Sequence, residues 1–296
     1  MNEAPLPLWF PQAVSFCFGA CVASFLNVVI WRVPRGESIV SPPSHCPKCG
    51  AAIKWWRNIP VISWLALRGK CADCRAPISP RYMFVELLGG LLFLAAYLRL
   101  SGPEGAIDPY AIPQLLVWWA WIALMIAGSF IDFDHQVLPD FATQGGMVLG
   151  FAHAGAELFR RSAAGEQAAA AAGDAPFWFL SGPFADAVAG LAVGFGLMWL
   201  VRKAGTAAFK REAMGEGDVW LMGAVGAMFG PVAAVATLVV SSLIGSVAGL
   251  GLVLLGRTKL GRFAEIPFGP YICMACLAWM FRGPELWRWY RGLVLG

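Results

Sequence analysis

The chain has 296 residues, of which 58% are hydrophobic and only 14% charged, and its mean hydropathy of +0.64 is far above that of an average soluble domain. Runs such as 115–131, 185–201 and 232–255 are nearly free of charge and long enough to cross a hydrocarbon core of about 30 Å as helices. They are apolar on all faces, which excludes a β-barrel with alternating polar positions. We therefore predict an all-α polytopic membrane protein.

The first apolar run, 9–31, is predicted to be a retained membrane span. No Lys or Arg precedes it, and no small-residue cleavage site of a signal peptide follows it. The next segment, 32–82, carries nine basic residues against only Glu37 and Asp73: Arg32, Arg35, Lys48, Lys54, Arg57, Arg68, Lys70, Arg75 and Arg81. The positive-inside rule places this loop in the cytosol, so the N-terminus is expected to be periplasmic.

Further apolar runs predict about eight transmembrane helices in total. They lie near 9–31, 84–100, 113–131, 141–158, 180–201, 218–230, 232–255 and 267–283. Basic residues follow the fifth and seventh spans, as this topology requires: Arg202, Lys203, Lys210 and Arg211, then Arg257, Lys259 and Arg262. We predict three regions: a first span at 1–31, a cytosolic loop at 32–82, and a membrane bundle at 83–296.

Two CxxC pairs within the basic loop predict a small metal site. Cys46 and Cys49 form the first pair and Cys71 and Cys74 the second, at a spacing close to that of a four-cysteine zinc ribbon. Redox dithiols or structural disulfides are the alternatives, and a cytosolic location disfavours the disulfides. We therefore predict that the four cysteines bind one structural Zn²⁺, which would supply much of the folding free energy of the loop.

Acidic residues cluster at two predicted span ends. The segment 131–140 contains Asp132, Asp134 and Asp140, and Gly215-Glu-Gly-Asp218 opens the sixth span. The predicted topology places both clusters at the cytosolic face. Two opposed carboxyl groups can hold one water molecule, with one acting as base and the other as acid. The alternative is that each aspartate only caps a helix, as Asp140 after Pro139 is well placed to do.

These motifs carry a family resemblance. The GxGD sequence at 215–218 resembles that of intramembrane aspartic proteases, and Asp132-Phe-Asp-His-Gln-Val-Leu-Pro-Asp140 resembles the first catalytic motif of bacterial type IV prepilin peptidases. Further segments are similar to other signatures of that family: 24–32, 41–46, 59–64, 81–86 and 266–271. The resemblance covers nearly the whole chain. One departure is Trp220, where the family usually has Lys, and it argues against a cation beside the aspartates.

The resemblance implies specific roles. Asp132 and Asp218 would be the catalytic dyad, and Cys46, Cys49, Cys71 and Cys74 the zinc ligands. Many such enzymes remove the leader of type IV prepilins or type II secretion pseudopilins and then N-methylate the new N-terminus with S-adenosylmethionine. The cysteine loop favours this bifunctional type. The resembling proteins carry residues linked to methylation where this chain has Glu86 and Gly90, although helix packing would equally explain both. We expect prepilins and the lipid bilayer of the inner membrane as partners, and no nucleic acid.

A membrane transporter or proton channel is the competing class, with Asp132, Asp134 and Asp218 as a proton relay. A relay requires acidic or histidine residues distributed through the depth of the membrane. The spans 185–201 and 232–255 contain none beyond Asp186 at an outer end. The sequence therefore favours the protease.

Overall fold

The computed structural model describes residues 7, 9–102, 104–163, 182–210, 212, 214–255 and 267–294. Within these residues the secondary structure is helical, with three isolated β-bridges and no strand. The all-α prediction is confirmed. The basic residues expected after the seventh span, Arg257, Lys259 and Arg262, lie outside the described residues, as does Arg211.

The α-helices of the described chain follow the predicted spans closely. They are α1 (Trp9–Arg32), α2 (Ile62–Ala66), α3 (Pro80–Leu100), α4 (Ile112–His135), α5 (Asp140–Ala163), α6 (Pro183–Phe209), α7 (Glu216–Leu254) and α8 (Gly269–Val294). Five of them, α1, α3, α4, α6 and α7, are long and apolar enough to cross a membrane. These five helices are those of a multi-pass membrane protein. Helices α5 and α8 coincide with the other predicted spans but are not among the five.

Helix α7 contains two predicted spans joined by a break. Gly230 has φ 85° and ψ 177°, which is not helical, and Pro231 follows it. Proline lacks the N–H that would continue the helical hydrogen bonds, and glycine accepts a positive φ without strain. The spans predicted at 218–230 and 232–255 are therefore two segments of one kinked helix.

The chain divides into two compact units, residues 1–127 and 128–296. In the first unit α1 packs against α3 through small residues. A Cβ atom at Gly19 would lie 2.5 Å from Cβ of Phe93, and one at Gly89 would lie 2.4 Å from Cβ of Ala23. Such close backbone approach is typical of membrane helices, which associate through packing and not through the hydrophobic effect.

In the second unit, α7 is the central helix and contacts α5, α6 and α8. Its first half is almost wholly buried, from Asp218 to Gly230. Glycines again allow the closest contacts: a Cβ atom at Gly190 of α6 would lie 1.9 Å from the carbonyl oxygen of Gly226, and one at Gly150 of α5 would lie 2.7 Å from Ala227. These contacts hold the first half of α7 in the middle of this unit.

Candidate active site and metal centre

The two aspartates of the predicted dyad lie at helix ends within the second unit. Asp132 is in the last turn of α4, and Asp218 is in the first turn of α7. Both are buried, with exposed fractions of 5% and 7%. The two carboxyl groups are close enough for the charge of Asp132 to act on Asp218. The structure thus brings together the two acids that the sequence singled out, although they lie on different helices.

Local backbone geometry places Asp132 at the end of its helix. Gln136 has a left-handed conformation, with φ 55°, and donates its N–H to the carbonyl oxygen of Asp132 at 2.8 Å. This arrangement terminates α4 at His135, as left-handed residues commonly do at helix C-termini. Pro139 then allows α5 to begin at Asp140. The chain reverses within a few residues, and the last turn of α4 remains close to the start of α5.

A third helix end supports the pair. The backbone N–H of Gly269, the first residue of α8, donates to Oδ2 of Asp132 at 3.0 Å. A Cβ atom at Gly269 would lie only 2.6 Å from this oxygen, so a larger residue cannot occupy the position without displacing the carboxyl group. Free N–H groups at a helix start interact favourably with an anion. The sequence offered no role for Gly269 beyond its place in the family signature at 266–271.

Leu138 packs against the starts of both α7 and α8. A Cβ atom at Gly217 would lie 2.8 Å from Cβ of Leu138, and one at Gly269 would lie 3.2 Å from its Cδ2. The second glycine of the GxGD motif is therefore explained by packing: it leaves room for Leu138. This leucine was also not identified from the sequence, because a single apolar residue in a loop carries no distinctive signal.

The other acids of the two clusters are not part of the buried pair. Asp134, Asp140 and Glu216 are exposed. Trp220, which replaces the usual Lys, packs edge-on against Phe195 with ring centroids 5.0 Å apart. Its side chain therefore contributes to the packing of α7 on α6, consistent with the absence of a cation at this position.

The four loop cysteines form a compact cluster in the first unit. The Sγ atoms of Cys46, Cys49, Cys71 and Cys74 all lie within 4.8 Å of one another, and those of Cys46 and Cys74 are 3.8 Å apart. Four thiolates bound tetrahedrally to one Zn²⁺ at about 2.3 Å would be separated by about 3.8 Å. The donor set and its geometry fit a structural zinc ion. His45 instead contacts the carbonyl oxygen of Pro43 at 3.1 Å.

The two CxxC turns repeat one hydrogen-bonding pattern. The N–H of Cys46 donates to Ala51 and that of Cys71 to Ala76, at 2.9 and 2.8 Å. The position after each second cysteine is left-handed, with φ 71° at Gly50 and 60° at Arg75. Backbone N–H groups of Cys49 and Lys48 donate to the sulfur of Cys46 and lower the pKa of its thiol to about 6. This turn therefore favours the thiolate form of Cys46, the form that metals bind. The pKa of the Cys49 thiol, in contrast, is raised to about 11: the N–H of Ala51 lowers it, but burial and the neighbouring sulfur atoms of Cys74 and Cys46 outweigh that effect.

The two residues considered for methylation have structural contacts in the first unit. Glu86 is buried and its Oε2 accepts the backbone N–H of Val61 at 2.7 Å. A Cβ atom at Gly90 would lie 2.8 Å from the ring of Phe16 on α1. Close helix packing therefore explains Gly90, and Glu86 connects α3 to the cysteine loop.

Two family models match most of the chain. Residues 17–100 match the bacterial peptidase A24 N-terminal domain, and residues 119–250 match the type IV leader peptidase family. The first match contains the cysteine loop. The second contains both aspartates.

Curated proteins of this kind are similar over nearly the full length. A prepilin leader peptidase/N-methyltransferase of Myxococcus xanthus is 38% identical, covering 100% of this chain and 80% of its own. A type 4 prepilin-like proteins leader peptide-processing enzyme of Escherichia coli is 37% identical, covering 89% and 91%. A prepilin leader peptidase/N-methyltransferase of Pseudomonas aeruginosa is 31% identical, covering 95% and 94%. No solved structure matches significantly.

Proposed function

This chain belongs to the type IV leader peptidase family, and from that premise we propose that it processes type IV prepilins or type II secretion pseudopilins. It cleaves the leader peptide and then N-methylates the new N-terminal residue, with S-adenosylmethionine as the methyl donor. The names of the similar proteins from Myxococcus xanthus and Pseudomonas aeruginosa support both activities, and that of the Escherichia coli protein supports leader removal. No similarity supports the transporter alternative.

The buried pair of Asp132 and Asp218 is the observation that carries the proposed peptidase activity. Burying two carboxyl groups within range of each other's charge is costly when both are ionised, so such a pair retains one proton between them. A pair with one proton contains a base and an acid at once. Asp140, the first residue of α5, is exposed instead, so burial distinguishes Asp132 and Asp218 from an acid that only begins a helix.

In the proposed reaction the ionised carboxylate accepts a proton from a water molecule as that water attacks the scissile carbonyl carbon. The protonated carboxyl group then gives its proton to the leaving amine as the C–N bond breaks. The products are the leader, with a new carboxylate, and the mature pilin, with a free N-terminus. The N–H of Gly269 holds Asp132 in place throughout, so that little reorganisation is needed in the transition state.

We propose that Cys46, Cys49, Cys71 and Cys74 hold one Zn²⁺ with a structural role. Four thiolates fill a tetrahedral coordination shell and leave no position for a reactive water molecule. The ion would supply the folding energy that the loop lacks, because this loop has a small apolar core. Hydrolysis would then require only the carboxylate pair.

We also propose that the protein lies in the inner membrane with a periplasmic N-terminus and a cytosolic active site. The excess of basic residues in the segment 32–82 supports this orientation, as do Arg202, Lys203 and Lys210 near the end of α6. Because Arg202, Lys203 and Lys210 lie shortly before the GxGD motif in the sequence, the dyad and these basic residues are at the same end of their helices. The three predicted regions, 1–31, 32–82 and 83–296, remain our division of the chain by role.

The function can be tested with the purified protein in lipid nanodiscs, incubated with a prepilin in the presence and absence of S-adenosylmethionine. Mass spectrometry of the intact pilin is expected to show leader removal in both samples and one added methyl group only with the donor. Leader removal without methylation in either sample would refute the second activity. An intact prepilin in both would refute the proposed function as a whole.

A further inference from the structure

The loop segment 55–66 exposes large apolar side chains although it lies outside the predicted spans. It consists of a 3₁₀ turn, Trp55–Arg57, followed by α2. The exposed fractions are 78% for Trp55, 63% for Ile62 and 57% for Leu65. Trp64, in contrast, faces inwards, and its Nε1 donates to the carbonyl oxygen of Ile78 at 3.2 Å. A folded loop in water does not normally expose such a group of large apolar side chains.

Glu86 fixes the depth of this segment along α3. Its carboxylate accepts the N–H of Val61, the residue immediately before α2. Glu86 lies six residues beyond the start of α3, which corresponds to about 9 Å along a helix. The segment therefore does not extend away from the helix ends. It folds back beside the first two turns of a membrane-spanning helix.

Helix α1 gives an independent estimate of that depth. It runs antiparallel to α3, and Ala23 contacts Gly89, so Leu26 is level with Glu86. Trp31 lies five residues further along α1, or about 7.5 Å nearer its end. The Trp31 ring is covered by the guanidinium of Arg35 at 3.7 Å, a pair typical of the membrane–water interface. Val61 is thus on the membrane side of that marker by at most about 7 Å, because the Glu86 side chain leans towards the start of α3. This depth is compatible with the roughly 5–10 Å to which interfacial helices are buried.

Exposed apolar side chains on α3 at the same level indicate that lipid surrounds this part of the protein. Phe84 and Leu87 flank Glu86 and have exposed fractions of 54% and 36%. Ile62 and Leu65 are therefore at a level where acyl chains are available to cover them. The charge around the segment also suits contact with negative lipid headgroups, because the basic residues Lys54 and Arg68 are exposed on either side of it in the sequence.

The backbone at Val61 is strained, with φ 63° and ψ −53°. A β-branched residue rarely adopts a positive φ, and strain of this kind persists only where the surroundings enforce it. Here the strained turn delivers the Val61 N–H to Glu86 and directs Ile62 and Leu65 outwards. The turn therefore sets both the depth of the segment and the direction of its apolar face.

We propose that the segment 55–66 is an interfacial anchor that inserts into the surface of an anionic bilayer. Trp55, Ile62 and Leu65 occupy the boundary between headgroups and acyl chains, and Lys54 and Arg68 contact the negative headgroups. The contact holds the cysteine loop against the membrane. This role does not depend on the proposed catalytic activity.

A fluorescent amino acid, incorporated genetically in place of Leu65, tests the depth in nanodiscs of phosphatidylglycerol and phosphatidylcholine. Genetic incorporation leaves the zinc-binding thiols untouched. Lipids brominated near the headgroup end of the acyl chain are expected to quench this label roughly twofold more than lipids brominated near the chain end. The matched comparison is a label in place of Leu91, which is 50% exposed and lies five residues beyond Glu86 on α3, deeper in the membrane. Lipids brominated near the chain end should quench this label more than lipids brominated near the headgroup. No quenching at position 65, with normal quenching at position 91, would overturn the proposal.

The headgroup contact is tested with Lys54→Glu and Arg68→Glu in the protein labelled at position 65. Quenching in phosphatidylglycerol nanodiscs should fall, while Lys203→Glu, at an exposed position on α6 outside the cysteine loop, should have little effect. Retention of one zinc per chain verifies that each loop remains folded. Equal quenching in all variants would show that Lys54 and Arg68 make no headgroup contact and that the anchor is not specific for an anionic bilayer. A label that is protected only when a prepilin is added would show that the face binds the substrate and not lipid.

Discussion

The cysteine loop and the aspartate pair both hold like-charged groups close together, but they are constructed differently. The four sulfur atoms come from two turns with the same hydrogen-bonding pattern, both within residues 46–76. The two carboxyl groups come from positions 132 and 218, at the ends of different helices, with a third helix end donating to one of them. The loop is local in sequence, whereas the pair depends on the packing of a whole bundle.

This difference determines what stabilises each site. In the loop a metal ion would neutralise the thiolates, so that stability depends on the ligands themselves. In the bundle no cation lies beside the acids in the described structure, and a proton shared by the two carboxyl groups would reduce their repulsion. Changes to the loop should therefore act through metal content, and changes to the bundle through helix packing.

The largest expected effect is the loss of metal from the loop. Replacing Cys46 and Cys71 with Ser removes one ligand from each turn and should reduce the zinc content from one per chain to none. Structural zinc contributes about 10–16 kcal/mol of apparent binding free energy in small zinc domains, so the loop should unfold and become sensitive to proteases. Elemental analysis measures the metal, and Cys17→Ser with Cys21→Ser on α1 is the control. Zinc retained at one equivalent would exclude the four-cysteine site.

In the bundle, Gly269→Ala should strongly reduce cleavage without changing zinc content. The added Cβ atom would lie 2.6 Å from Oδ2 of Asp132, so the carboxyl group must move. A displacement of about 1 Å in an active site can lower the rate about 100-fold. The matched control is Gly292→Ala on the same helix, where a Cβ atom meets nothing within 4 Å. Equal kcat/KM values for the two variants would show that Gly269 does not position Asp132.

A smaller effect is expected for Gly217→Ala, whose Cβ atom would lie 2.8 Å from Leu138. Overpacking of this kind costs about 1–3 kcal/mol. If the contact is the cause, Leu138→Ala should partly restore stability and cleavage in the double variant, with a coupling energy of about 1 kcal/mol. Thermal unfolding and kcat/KM are measured for the original protein, the two single variants and the double variant, which together form a double-mutant cycle. Additive losses would mean that the glycine serves another purpose, such as access of the substrate backbone.

The smallest effect should be a gain of stability in the loop from Arg75→Gly. Arg75 occupies the left-handed position that Gly50 occupies in the other turn. A left-handed conformation costs about 1 kcal/mol for a residue with a Cβ atom, and glycine avoids this cost. Zinc should be retained at a several-fold higher chelator concentration. Lys48→Gly, at a position without positive φ, should give no gain, and equal retention by both variants would contradict this explanation.

Much of the fold could be predicted from the sequence because apolar runs and their lengths are local signals. All predicted spans correspond to helices, but two differences appear. The spans that meet at Gly230–Pro231 form one kinked helix, and α5 and α8 are not among the five helices long and apolar enough to cross a membrane. The cysteine cluster was predictable for the same reason, because its spacing determines its geometry. The predicted orientation in the membrane stays a prediction.

The supporting residues of the dyad could not be predicted from the sequence. Gly269 and Leu138 act through contacts with residues far away in the chain, and neither residue type indicates chemistry by itself. Val61 is a further example, because its strained backbone and its bond to Glu86 exist only in the folded loop. Motifs identify the reactive groups, whereas helix packing determines which residues hold them.

The central claim is that the carboxylate pair performs hydrolysis independently of the metal loop and of methylation. It is tested most directly by mass spectrometry with Asp132→Asn, Asp218→Asn and the control Asp186→Asn, each given a prepilin and, separately, a synthetic pre-cut pilin peptide with S-adenosylmethionine. We predict that both dyad variants leave the prepilin uncut, still methylate the pre-cut peptide and retain one zinc per chain, while the control retains all activities. Leader removal by either dyad variant at the rate of the control would contradict the claim.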